Sequence, residues 1–151
     1  MSNKIFVDSS IFIESFKGNV NAREILELSI ENFDICINAI VFSEVIFRLI
    51  TIKSGKSALT LKCNKEISLI LDKLKDHIDL LLLVEILEEN KEVLEIAIYL
   101  MKRYNLLTND ALILATCKYY GIDKLASLDK DFENITLQEG IKLISNSQEL
   151  K

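Results

Sequence analysis

The chain has 151 residues, half of them hydrophobic, and a formal net charge of −5 from 18 basic and 23 acidic side chains. That length is one ordinary domain, residues 1–151, and the hydrophobic content excludes a disordered chain. The acidic balance excludes a module that coats nucleic acid by charge neutralisation alone, but not an enzyme whose acids are neutralised by bound cations.

In chain order, Lys4–Val7 is a short apolar run ending at Asp8 and reads as a buried strand. Ser9–Phe16 follows as a short helix closed by Gly18. Ala22, Ile25, Leu26, Leu28 and Ile30 recur at helical spacing over Asn21–Glu31, and Phe33–Ala39 (FDICINA) has the β-branched content of a second strand. Val41–Lys53 and Ala58–Lys75 read as helices. Ile78–Val84 fits strand or helix, and a short third strand is expected around Leu82–Glu85. Glu89–Tyr104 is an amphipathic helix and Asn109–Tyr120 a more apolar one ending at Gly121. Leu125–Leu128 is expected as a fourth strand, with a fifth at Ile135–Leu137 or Ile141–Ile144. Short strands without clean alternation, interleaved with helices, imply a parallel sheet covered by helices on both faces. Sites in such sheets form outside the carboxyl ends of the strands.

Cys36, Cys63 and Cys117 lack CxxC spacing and read as reduced thiols of a cytoplasmic protein. His77 is the single histidine, which argues against a histidine-rich zinc site or a Ser–His–Asp triad, and it reads as a helix-end residue. Asp8 interrupts what would have to be the apolar segment of a signal peptide. Ile78–Leu87 is too short to cross a bilayer, so no membrane association is expected. Lys53–Ser57 (KSGKS) contains the GKS of a phosphate loop, but the glycine required five residues before Gly55 is Ile50.

Four acids stand where chemistry would need them, and each also has a structural alternative. Asp8 ends the first strand, where it can cap the next helix. Glu44 sits in IVFSEVIFRLI, a segment too apolar to hold an unpaired carboxylate cheaply, with Arg48 one turn on as a pairing partner. A solvent-facing strip of Glu44, Arg48 and Thr51 is the other alternative. Asp110 opens DALILATC and can be a cap, with Thr108 and Asn109 as competitors. Asp129 follows LASL and can cap the turn begun by Lys130. Converging carboxylates repel and cannot all stay ionised; hard divalent ions relieve that repulsion.

IFVDSSIFIESF, FSEVIFRL, LTNDALILATCKYYGID and LASLDKDF resemble, in order, the four motifs of PIN domains, and the likeness runs from Lys4 to about Phe132. The resemblance implies a three-layer α/β/α sandwich with a central parallel sheet and Mg²⁺- or Mn²⁺-dependent endoribonuclease activity. Carried over residue by residue, Asp8, Glu44, Asp110 and Asp129 are the acidic quartet. Asp8, Asp110 and Asp129 would hold the ion, and Glu44 would ligate a second ion or orient and deprotonate water. Ser127 matches the supporting hydroxyl, Ser9 or Ser10 the polar residue after the first acid, and Asp131 an auxiliary ligand or a turn residue. Arg48 is expected to contact RNA phosphate. The segment Gly55–Asp76 varies within the family and carries no assignment.

Small stand-alone chains of this kind resemble VapC-type toxins, each silenced by a small antitoxin partner. The alternatives are an RNA-processing PIN nuclease without an antitoxin and a catalytically inactive PIN-like binding module. A receiver-like domain fits poorly because the acid after the second strand lies inside a helix. A homodimer is expected, with Phe42–Ile52 or Ile78–Leu87 as the interface.

Overall fold

The computed structural model describes residues 3–151. Five strands form one sheet: β1 (Lys4–Val7), β2 (Asp34–Asn38), β3 (Glu85–Leu87), β4 (Lys124–Ala126) and β5 (Lys142–Ile144). They lie in the order β3-β2-β1-β4-β5 and every neighbouring pair is parallel. Ile5, Phe6 and Val7 are fully buried, which is why β1 shows no in/out alternation. With helices on both faces, this is the three-layer α/β/α sandwich expected.

The sheet grows outward from β1 in two directions. β2 and β3 add on one side, and β4 and β5 on the other. The strand order therefore reverses between β1 and β4, and their carboxyl ends open a crevice at that switch point. Register pairs Val7 with Ala126, so the residues after each strand, Asp8 and Ser127, face each other across it.

The helices are α1 (Ser9–Phe16), α2 (Val20–Asn32), α3 (Ala39–Ser54), α4 (Ala58–Cys63), α5 (Ile67–Lys73), α6 (Lys75–Leu83), α7 (Lys91–Tyr104), α8 (Thr108–Tyr119) and α9 (Glu133–Gln138). Asn19, Asn38, Ser57 and Asn90 cap α2, α3, α4 and α7 through their side chains. Gly55 ends α3 at φ +67°, where a side chain would be strained. The KSGKS segment is thus a turn between two helices, and Lys56 pairs with Glu66 at 2.7 Å.

Three expectations are corrected. Ala58–Lys75 is not one helix. Lys65 adopts φ +56°, and a second break at Leu74 separates α5 from α6. Burying Leu61, Ile70, Leu74 and Leu81 in one core requires the chain to re-aim between short helices. The third strand is Glu85–Leu87, not Leu82–Glu85, because the helix runs on through Leu83 with Leu82 and Leu83 exposed. β4 stops at Ala126, which leaves Ser127 and Leu128 in a loop. Of the two fifth-strand candidates, Ile141–Ile144 contains β5, whereas Ile135–Leu137 lies in α9.

Asn38 ties the two sides of the site together. It is fully buried, its side-chain oxygen accepts from Val41 N (3.0 Å), and its amide donates to Thr116 Oγ1 in α8 (3.2 Å). Asn38→Ala is expected to lose about 2 kcal/mol, from a helix cap and a buried hydrogen bond. In a denaturant titration, a loss below about 0.5 kcal/mol would show that this link carries no stability.

Candidate active site

Asp8 is placed by β1, and its carboxylate is 5% exposed. It occupies the N-cap position of α1 but makes no side-chain capping bond. Its Oδ2 instead accepts from Ser127 Oγ (2.7 Å) and Ser10 Oγ (2.9 Å). Ser9 Oγ stands 3.5 Å from Oδ1, a marginal contact. The two bridging hydroxyls also organise the β4 loop: Ser10 Oγ accepts from Leu128 N and Ser127 Oγ from Asp129 N, both at 3.0 Å. Of the two candidate serines after Asp8, Ser10 provides the support.

Asp129 keeps part of its structural alternative, since its Oδ1 accepts from Asp131 N at 2.9 Å and starts the 3₁₀ turn Lys130–Phe132. Asp110 lies in the first turn of α8 without capping it. A carboxylate oxygen from each of Asp110, Asp129 and Asp131 lies within 4.8 Å of the others. Oxygen ligands around Mg²⁺ stand about 2.1 Å from the ion, so opposite ones are about 4.2 Å apart and the cluster fits with small side-chain shifts.

Glu44, half-buried early in α3, faces the same crevice. Its carboxyl is pushed up to about 7, first by burial and then by the charges of Asp8 and Asp110. Asp110 is pushed up to about 6 by burial, then by Asp129, Asp8 and Asp131. Asp110 and Asp129 share that cluster with Asp131, while Asp8 and Glu44 stand outside it and act on Asp110 or on each other by charge. Among the described residues Glu44 forms no ion pair with Arg48, and its Oε1 is buried without a hydrogen-bond partner. A buried, unpaired carboxylate beside other carboxylates is costly without a counter-charge. Arg48 is exposed on the next turn, lining a cleft with Ser10 and Glu44.

Other groups stay outside the cluster. His77 packs edge-on against Phe16 with centroids 4.8 Å apart. Cys36 is buried, and burial pushes its thiol up to about 12, away from nucleophilic chemistry. Sequence reasoning missed Asn38 and Thr116, which fix α3 against α8. An Asn directly before an apolar helical run is a cap signal and marked Asn38. Nothing local marked Thr116.

The PIN domain family model matches residues 5–137, most of the chain and all four acids. The chain belongs to the PIN domain family. Two relatives from Methanocaldococcus jannaschii are each 41% identical to this PIN domain and are named Ribonuclease VapC6 and Ribonuclease VapC2. The first alignment covers 93% of this chain and 97% of the relative, the second 93% and 95%. Among solved structures, VapBC2 from Rickettsia felis, bound to a promoter DNA fragment, matches with TM-score 0.61 at 20% identity, covering 93% of this chain and 97% of that one. A toxin–antitoxin complex from Klebsiella pneumoniae matches with TM-score 0.56 at 22% identity, covering 87% and 92%. These likenesses bear on the fold of this PIN domain.

The raised carboxyls set a pH dependence. Glu44 and Asp110 have folded-state values above the ordinary carboxylate range, so the folded state binds their protons more tightly than the unfolded chain. Their contribution to stability is complete below about pH 4 and is lost as pH rises through about 6 to 7. Glu44→Gln should therefore melt above the wild type in EDTA near pH 8, with the gap closing toward about pH 4. Melting below the wild type at high pH would instead restore the Glu44–Arg48 pair.

Proposed function

We propose that this PIN domain is a divalent-metal-dependent endoribonuclease and the toxin of a toxin–antitoxin pair. The observation that carries the reading is the acid cluster itself, with the unpartnered Glu44 Oε1 pointing to a cation-assisted site. The names of the two relatives support ribonuclease chemistry and, through their VapC designation, a small antitoxin partner.

Asp8, Asp110 and Asp129 would hold Mg²⁺ or Mn²⁺, with Asp131 adding an oxygen at the open edge. Bound there, the cation supplies positive charge that acidifies water and offsets charge building on the scissile phosphate. Ser10 and Ser127 lock the Asp8 carboxylate in one orientation through two hydrogen bonds. Glu44, whose carboxyl burial and neighbouring acids push up to about 7, would take the proton of the attacking water. Attack at phosphorus then breaks the bond to the 3′ oxygen, which leaves as an alkoxide and takes a proton from solvent to become the 3′ hydroxyl, and the new end keeps the 5′ phosphate. Arg48 offers a planar, bidentate donor to a neighbouring phosphate.

A homodimer belongs to the same reading. In Ile78–Leu87 the exposed apolar side chains are Leu82, Leu83 and Ile86, which suit an interface between copies. No helix among the described residues is long and apolar enough to cross a membrane. Action in the cytoplasm, where the RNA substrate is, remains part of the proposal.

The test is incubation with total RNA, with Mg²⁺, Mn²⁺ or EDTA, followed by sequencing of the new 5′ ends. Cleavage is expected with either ion and none with EDTA. Asp8→Asn and Asp110→Asn should reduce the single-turnover rate by about 100-fold or more, and Asp110→Asn should keep or raise thermal stability, because it removes a charge that its acidic neighbours repel. Robust cleavage in EDTA, or an Asp110→Asn variant that melts lower yet still cleaves, would overturn the reading.

A further inference from the structure

The structure holds seven phenylalanines; six are buried or half-buried, and Phe47 alone is exposed, at 54%. It lies on α3, whose inner side is Val41, Val45 and Leu49. A helix turns about 100° per residue, so Phe47 projects about 60° to one side of Glu44 and Arg48 about 40° to the other. All three share one outward face. They also line one cleft of ≈ 490 Å³ with Ser10, Ile13 and Glu14, a volume suited to a nucleotide-sized group. Glu14 is neutralised by Lys17 at 3.2 Å, and Arg48 forms no ion pair among the described residues.

We propose that Phe47 is a base-stacking platform: it takes the face of an unpaired nucleobase next to the cleaved bond while Arg48 holds an adjacent phosphate. This rests on the ribonuclease reading and adds a specificity-determining residue to it. A base locked in a duplex has both faces covered by its neighbours, so the platform selects unpaired RNA. Stacking on an aromatic ring tolerates any base, so Phe47 would choose strand geometry more than sequence. A second copy of the chain is the other candidate to cover the ring. Interface cores are depleted of acidic side chains, however, and Phe47 lies in the same cleft as Glu44 and Glu14.

The experiment uses short RNA substrates of one sequence in which each nucleotide around the cleavage point is made abasic in turn. Single-turnover cleavage is measured for the wild type, Phe47→Ala and Phe47→Trp. In parallel, 2-aminopurine placed at the same positions reports stacking by its quenching, with Ca²⁺ in place of Mg²⁺. For the wild type, one abasic position should cost about tenfold or more in kcat/KM. Phe47→Ala should lower the intact substrate to that level, abolish the abasic penalty and lose the quench, whereas Phe47→Trp should retain all three. Wild-type rates in Phe47→Ala, or an abasic penalty that survives the change, would overturn the platform while leaving the ribonuclease intact. A dimer that dissociates in Phe47→Ala with the abasic penalty preserved would overturn it in favour of an interface. Failure of the wild type to cleave RNA would overturn both readings.

Discussion

A carboxylate buried at the end of a strand must be satisfied by its surroundings, and the site is organised around how Asp8 is satisfied. Water is nearly excluded from it, so its charge depends on hydroxyl donors from two loops, Ser10 on one side of the switch point and Ser127 on the other. Each hydroxyl accepts a backbone N–H from the β4 loop in return. The position of Asp129 therefore follows from that of Asp8. The arrangement exists only because β1 lies between β2 and β4; moving β4 elsewhere in the sheet would leave Asp8 unpartnered and Asp129 without its frame.

Around that fixed point the fold accepts a local electrostatic penalty. Glu44 and Asp110 are both pushed well above the ordinary carboxylate range by burial and by their acidic neighbours, and one oxygen of Glu44 has no partner. Packing could have relieved this by turning Glu44 toward Arg48. The Glu44 side chain does not turn that way, and the two helices that present the acids, α3 and α8, are tied together. Residues Ala111–Cys117 of α8 are all buried, and Asn38 and Thr116 bond the two halves together. A penalty maintained by so much surrounding structure is characteristic of a functional site.

The layered parallel sheet was legible in the sequence because apolar runs without alternation are a local signal; the four acids each had a structural alternative there, and it was their order in motifs resembling those of PIN domains that joined them as a set. The breaks in Ala58–Lys75 were not legible, since neither glycine nor proline marks them; Lys65 takes its positive φ in the turn that closes α4, where Glu66 N donates to Leu61 O and Lys65 N to Lys62 O. Ile78–Leu87 misled for a related reason. Its apolar residues serve a helix and then a strand, and composition does not show where one gives way to the other. Within the site, the choice of Ser10 over Ser9 depended on the turn of α1, and Thr116 is invisible without knowing that α8 packs beside β2. The end of β4 mattered most. Ser127 still donates its N–H to Ile144 O of β5, but the strand ends at Ala126 and the Ser127 side chain turns to Asp8.

The net charge of −5 bears on how such a site meets a polyanion. Several cations are already occupied: Lys17, Lys56, Lys75, Lys118 and Lys124 each lie within 3.2 Å of a carboxylate oxygen. The cleft beside the acids is lined by one basic side chain, Arg48, so release of counterions there contributes little and the salt dependence of binding should be shallow. On the proposed reading, affinity would come from a few directional contacts: a cation shared between the carboxylates and the scissile phosphate, the fork of Arg48, and the face of Phe47. Each of these needs a strand free to bend into the crevice. An acidic surface repels the regular backbone of a duplex as readily as any other polyanion, and only unpaired RNA can repay that repulsion by presenting both a phosphate and a base face at once.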